Sequence, residues 1–146
     1  MKNILLLSWL LIAAACSNEG DLKPAEIIYG QDLCHACSMI ISEIRFSAQY
    51  IDENGQVRKF DDIGCMMEYL NQNKPKSEVA AYFVRDYFTN NWINAKNAHF
   101  VYSDKLITPM GHGIAALSSK EDMKKIVPEI HLKYLGTFDE AAKNIR

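Results

Sequence analysis

Across 146 residues the chain carries 16 basic and 18 acidic side chains, a formal charge of −2 at pH 7 with a sequence pI near 6.1. That balance excludes the basic face a nucleic-acid partner requires. The length fits one small domain or two closely packed half-domains, and apart from a short N-terminal apolar run no candidate membrane segment is visible.

The N-terminal run reads as an export signal. Lys2 supplies a positive charge, and Ile4 to Ala15 is apolar and uncharged but short of the roughly 20 residues of a membrane span. Ala13-Ala14-Ala15-Cys16 has the form of a bacterial lipobox. Residues 1–15 would then be the signal peptide, and cleavage would leave Cys16 as the first residue, lipidated on its sulfur and amine. Ser17 in second place points to an outer rather than an inner membrane, with the domain on the periplasmic side. Residues 16–26 are polar, include Gly20 and Pro24, and read as a flexible tether.

With Cys16 lipidated, Cys34, Cys37 and Cys65 remain, an odd count that leaves a free thiol or an intermolecular bond in an oxidising compartment. Phe46 to Ile51 predicts a strand, with Phe46, Ala48 and Tyr50 alternating against Ser47 and Gln49. Asp52-Glu53-Asn54-Gly55 is a hairpin turn and Val57 to Phe60 the return strand. Asp61-Asp62 opens a helix whose Ile63, Met66, Met67 and Leu70 form one buried face, ending by Asn73 to Pro75. Val79 to Val84 reads as a central strand, and Tyr87 to Ile93 as a turn or further strand.

The order then recurs. His99 to Tyr102 is a strand, followed by a loop through Thr108-Pro109-Met110-Gly111-His112-Gly113 and a strand over Ile114 to Leu117. Ser118-x-x-Glu121 is a capping box for a helix ending near Pro128. Leu132 to Leu135 is a third strand. Thr137-x-x-Glu140 caps a last helix, with Phe138, Ala141, Ala142 and Ile145 on one face. The pattern predicts an α+β fold of two similar ββαβ half-domains packed together, residues 27–97 and 98–146.

The chemistry concentrates in Cys34-His35-Ala36-Cys37-Ser38-Met39. Soft sulfur donors select Cu(I), zinc or iron–sulfur centres, and a thioether partner favours copper among these. Two other readings stand beside copper: a structural or redox-active disulfide, and a zinc site. Ser38 stands where a c-type haem motif needs His. On an extended segment Cys37 and Met39 would share a face.

Taken together, Cys16, the stretch Cys34-x-x-Cys37-x-Met39, Arg45-Phe46, Gly55, Phe60-Asp61-Asp62-Ile63-Gly64-Cys65-Met66, Val84-Arg85-Asp86-Tyr87 and Thr108-Pro109-Met110-Gly111 resemble the NosL family. These are the copper-binding lipoproteins accessory to nitrous oxide reductase. Ser38 departs from the expected pattern, which places Gly there. The resemblance implies two ββαβ half-domains and a Cu(I) carrier that supplies the copper centres of nitrous oxide reductase or works through its assembly proteins, with no catalytic role. Cys37 is the leading ligand, as the strongest soft donor, with Met39 next by spacing and Cys34 completing a bis-thiolate site. Met110 is the second anchor, since the Pro- and Gly-rich loop around it gives a thioether no core to fill. A site using Cys37 and Met110 would join the two halves, and His112 could reach it. His35 is a weaker candidate. Met66 and Met67 read as core and Asp86 as a turn residue; Cys65, in the first helical turn where the dipole lowers a thiol's pKa, reads first as a buried structural cysteine and second as a transfer ligand. The competing function is a membrane-tethered thiol–disulfide oxidoreductase using Cys34 and Cys37.

Overall fold

The computed structural model describes residues 22–126 and 131–145. The signal peptide, Cys16, most of the tether and the helix end expected at Pro128 lie outside the described residues. A 3₁₀ turn over Ile44–Phe46 leads into β1 (Ala48–Asp52), β2 (Val57–Phe60), α1 (Ile63–Gln72), β3 (Val79–Arg85) and β4 (Trp92–Asn94). After a second 3₁₀ turn come β5 (His99–Tyr102), β6 (Ile114–Leu117), a 3₁₀ segment over Lys120–Lys125, β7 (Lys133–Gly136) and α2 (Phe138–Asn144).

The fold is α+β, with two antiparallel sheets ordered β2-β1-β3-β4 and β6-β5-β7. In each half the first strand is central, flanked by the second and third. The second half differs in that a 3₁₀ segment with no buried side chain stands where α1 stands in the first. One continuous core spans both halves, joining Tyr50, Phe60, Met66 and Val84 to Phe100, Ala116, Leu135 and Phe138. Met66 and Met67 are fully buried, as their helical spacing requires.

Two details differ from the sequence pattern. The first strand starts at Ala48 rather than Phe46, which belongs to the preceding 3₁₀ turn. Every residue of β1 is buried, because the segment before it covers the face where Ser47 and Gln49 point. The Gln49 amide accepts from Ala25 N and donates to Ala25 O, both at 2.9 Å, and so satisfies its buried polar atoms. The second is the expected capping box at Ser118. Ser119, not Ser118, accepts from Glu121 N, because Ser118 is drawn to the buried Asp86, donating its backbone N–H (2.7 Å) and its hydroxyl.

Asp86 therefore does more than close a turn. Its carboxylate also accepts from Phe88 N, Thr89 N and the Thr89 hydroxyl, and it forms a parallel bridge with Ala116. Tyr87 N donates to Ala116 O at 2.9 Å. This is a polar staple between the two sheets. Asp86→Ala orphans several donors at once and is expected to cost about 2–4 kcal/mol of stability, read as a fall in the urea midpoint.

Candidate metal centre

The cysteine stretch is a tight hairpin. Leu33 and Ile40 pair in an antiparallel bridge, Cys34 N donates to Met39 O at 2.7 Å, and Ser38 N donates to Cys34 O at 2.8 Å. Closing a turn this small forces Ser38 to φ +61°, the left-handed region where Gly is at ease and other residues are strained. The hairpin is fastened to β2 by His35 N donating to Lys59 O at 2.8 Å and by the Lys59–Asp32 ion pair at 2.6 Å. Cys34 is thereby turned inward, 1% exposed, and Cys37 stands half-buried beside it.

The third thiol comes from α1. Asp62 caps this helix by accepting from Gly64 N at 2.6 Å, which places Cys65 in the first turn. The sulfurs of Cys34, Cys37 and Cys65 all lie within 4.8 Å of one another, and all three thiols are free. A hydrogen bond from Cys65 pulls the Cys34 thiol down to about 5; backbone N–H groups of Asp61, Cys37 and Ala36 assist, and burial opposes. The same contact, with burial, pushes Cys65 up. Burial first, then the Cys34 sulfur, push Cys37 up. One negative charge thus serves three thiols, and a metal binding all of them must expel the remaining protons.

The second half supplies the opposite wall. Met110 N donates to the second Asp62 carboxylate oxygen at 3.2 Å. His112 lies between Asp62 and Glu68, its Nδ1 3.3 Å from Asp62 Oδ1 in an ion-pair contact that falls short of hydrogen-bond geometry, its Nε2 3.3 Å from Glu68 Oε2. The Asp62 contact raises the His112 pKa against its burial, with Glu68 adding to the rise. Burial works to raise Asp62, and His112, Thr108 and the Met110 N–H outweigh it, so its carboxylate stays charged. The result is a partly open cavity of about 370 Å³ lined by Cys37, Cys65, Glu68, Tyr69, Met110 and His112 among others.

Gly64 is what lets the halves meet. A Cβ there would overlap the His112 ring. Gly64→Ala is expected to expel the ring from its place between Asp62 and Glu68 and to cost about 1–3 kcal/mol through overpacking, seen as a lowered Tm.

Of the residues singled out in the sequence, Cys37, Met110 and His112 line the cavity, and Cys34 stands behind Cys37 in the thiol cluster. Met39 is 58% exposed and does not line the cavity. Its two-residue spacing from Cys37 placed both on one face only for an extended chain, and the chain turns at Ser38 instead. His35 does not line the cavity, its Nε2 standing 3.1 Å from the Tyr69 hydroxyl. Cys65 is buried as expected, yet its sulfur belongs to the cluster. Its position in a helix first turn was visible in the sequence, but nothing local places that turn against the Cys34 hairpin.

These donors suit a soft cation: thiols and a thioether, with an imidazole at the edge. The NosL family profile matches residues 25–134 of the chain. No curated protein matches it. Among solved structures, the copper chaperone NosL from Shewanella denitrificans is similar, with a TM-score of 0.67 at 24% sequence identity over 82% of this chain and 96% of that one. At that identity the likeness establishes the shared fold.

Proposed function

The chain belongs to the NosL family, and from that premise we propose that it is a carrier of Cu(I), supplying copper for assembly of the copper centres of nitrous oxide reductase, directly or through that enzyme's assembly proteins. The observation that carries this reading is the convergence of Cys37 and Cys65 from one half with Met110 and His112 from the other around one partly open cavity, with Cys34 at its back. Thiolate and thioether together prefer Cu(I), whereas a zinc site draws on Cys, His and carboxylate. Copper is cargo here, so the site must release as well as hold. An open side leaves room for a donor from the receiving protein to enter before the last carrier sulfur leaves. The chain performs no catalytic step in this scheme. It acts from the periplasmic side of a membrane, the outer one by the residue after Cys16, with lipid on Cys16 as the anchor.

The rival reading, a thiol–disulfide oxidoreductase using Cys34 and Cys37, draws support from the lowered Cys34 thiol. It leaves Met110 and His112 without a part, and Cys34 lies in a hairpin rather than at a helix start. Insulin-disulfide reduction by the purified protein would favour it.

The test is made in the cell. A strain lacking this protein should yield nitrous oxide reductase depleted of copper, restored by the wild-type chain and not by Cys37→Ser. A deletion strain whose reductase carries its full copper would overturn the proposal.

A further inference from the structure

A low-coordinate Cu(I) site needs two or three donors, and the cavity offers more. Cys37, Met110 and His112 stand at its mouth on opposite walls. Cys34 and Cys65 lie deeper, 1% and 4% exposed, and their sulfurs stand within 4.8 Å of one another. They come from different elements, a hairpin and a helix first turn, so a bond between them would tie the hairpin to α1. Cys34 sits in a turn rather than in a regular element, which allows the side-chain adjustment that closing a disulfide of about 2.05 Å demands.

We propose that Cys34 and Cys65 form a dithiol that reduces Cu(II) to Cu(I) at this site, so that the protein accepts cupric as well as cuprous copper. This rests on the copper-carrier reading of the same cavity. The step balances as Cys34–S⁻ + Cys65–SH + 2 Cu(II) → Cys34–S–S–Cys65 + 2 Cu(I) + H⁺. The sulfur–sulfur bond forms, the Cys65 proton goes to solvent, and each sulfur yields one electron to one cupric ion. The product is the ion the mouth prefers: soft thiolate and thioether donors hold Cu(I) better than Cu(II), so the cavity draws the reaction forward. Cys37, Met110 and His112 remain to keep one Cu(I) after the pair is oxidised. The reaction is stoichiometric, one round per reduced chain.

The experiment uses the reduced full-length protein in mild detergent under argon, treated with copper(II) chloride and a dye specific for Cu(I). The expected result is two Cu(I) formed for two thiols lost, with mass mapping showing Cys34 joined to Cys65 and Cys37 still open to alkylation. In Cys65→Ser, with its fold verified by circular dichroism, Cys37 is the thiol left within reach of Cys34; because Cys37 is committed to holding copper at the mouth, this variant should give at most about a tenth of the wild-type Cu(I) in the same time. A wild-type bond between Cys34 and Cys37, or Cu(I) formation by Cys65→Ser at the wild-type level, would overturn the inference. Supplying copper already as Cu(I) separates the two readings. A chain that binds Cu(I) but leaves Cu(II) unreduced loses this inference and keeps its role as a carrier, and one that does neither loses both.

Discussion

Cys37→Ser is expected to weaken Cu(I) binding by at least ~100-fold, and Met110→Leu by ~10-fold or more. Changes to groups that merely orient a metal's ligands already cost roughly 10–100-fold, and these two residues would be ligands on opposite walls of one cavity. Serine keeps the size but offers a hard oxygen that stays protonated at neutral pH, so both the charge and the softness of the donor are lost. Leucine keeps the bulk of methionine without its sulfur, and Met110 is 40% exposed, so a stability loss would not confuse the result. Competition with a chromogenic chelator under argon measures both. Because the two residues come from different halves, the double variant should lose little more than Cys37→Ser alone if they hold the same ion. Losses that multiply independently would mean two separate sites.

The second large effect is expected at Asp62, which is fully buried. Its carboxylate caps α1 through Gly64 N, accepts from Met110 N and faces the His112 ring. Asp62→Ala removes all of these and strands a half-buried imidazole beside Glu68. Breaking a buried charged pair from one side costs about 3–5 kcal/mol, and urea unfolding would show it. Copper affinity should fall as well, since the loop carrying Met110 is fastened through the same carboxylate. An effect on stability below about 1 kcal/mol, no more than a lost cap, would mean that Asp62 does not join the halves. The pH dependence follows from the directions of the shifts. His112 has a raised pKa in the folded chain, so its pairing contributes in full below its unfolded value near ~6.5 and fades as pH rises through the folded value. Asp62 is lowered, so its share is present above ~3.9 and is lost as pH falls through the folded value. Wild-type stability should therefore drop as pH rises above ~6.5 and through the folded value of His112, and Asp62→Asn should flatten that drop.

How far the sequence led depended on whether an interaction is local. The strands Val57–Phe60, His99–Tyr102 and Ile114–Leu117 lie where short apolar runs and turn signals put them, and the Thr137–Glu140 capping box forms as its spacing requires. Tertiary partners overrode local pattern elsewhere. Gln49 alternates like an outward-facing residue, yet it is buried because Ala25 supplies both of its hydrogen bonds. Ser118 is spaced for a capping box, yet Asp86, far away in sequence, takes its hydroxyl.

The site divides in the same way. Cys34 and Cys37 are held together by their own hairpin, so their proximity was legible. Met110 stood out because Pro109 and Gly111 deny it a core. Cys65 was hidden, since its closeness to Cys34 follows from how α1 docks beside the hairpin, which no spacing encodes. Met39 does not share the cavity with Cys37, because an i, i+2 relation keeps two side chains on one face only while the chain stays extended, and Ser38 at φ +61° ends that.

The most direct test of the copper site is an X-ray absorption spectrum at the copper K-edge of the reduced, full-length protein loaded with Cu(I) under argon. The expected spectrum has a cuprous edge and a first shell dominated by sulfur, losing sulfur amplitude in Met110→Leu. A shell of nitrogen and oxygen alone, or a protein that leaves a desalting column free of copper, would contradict it.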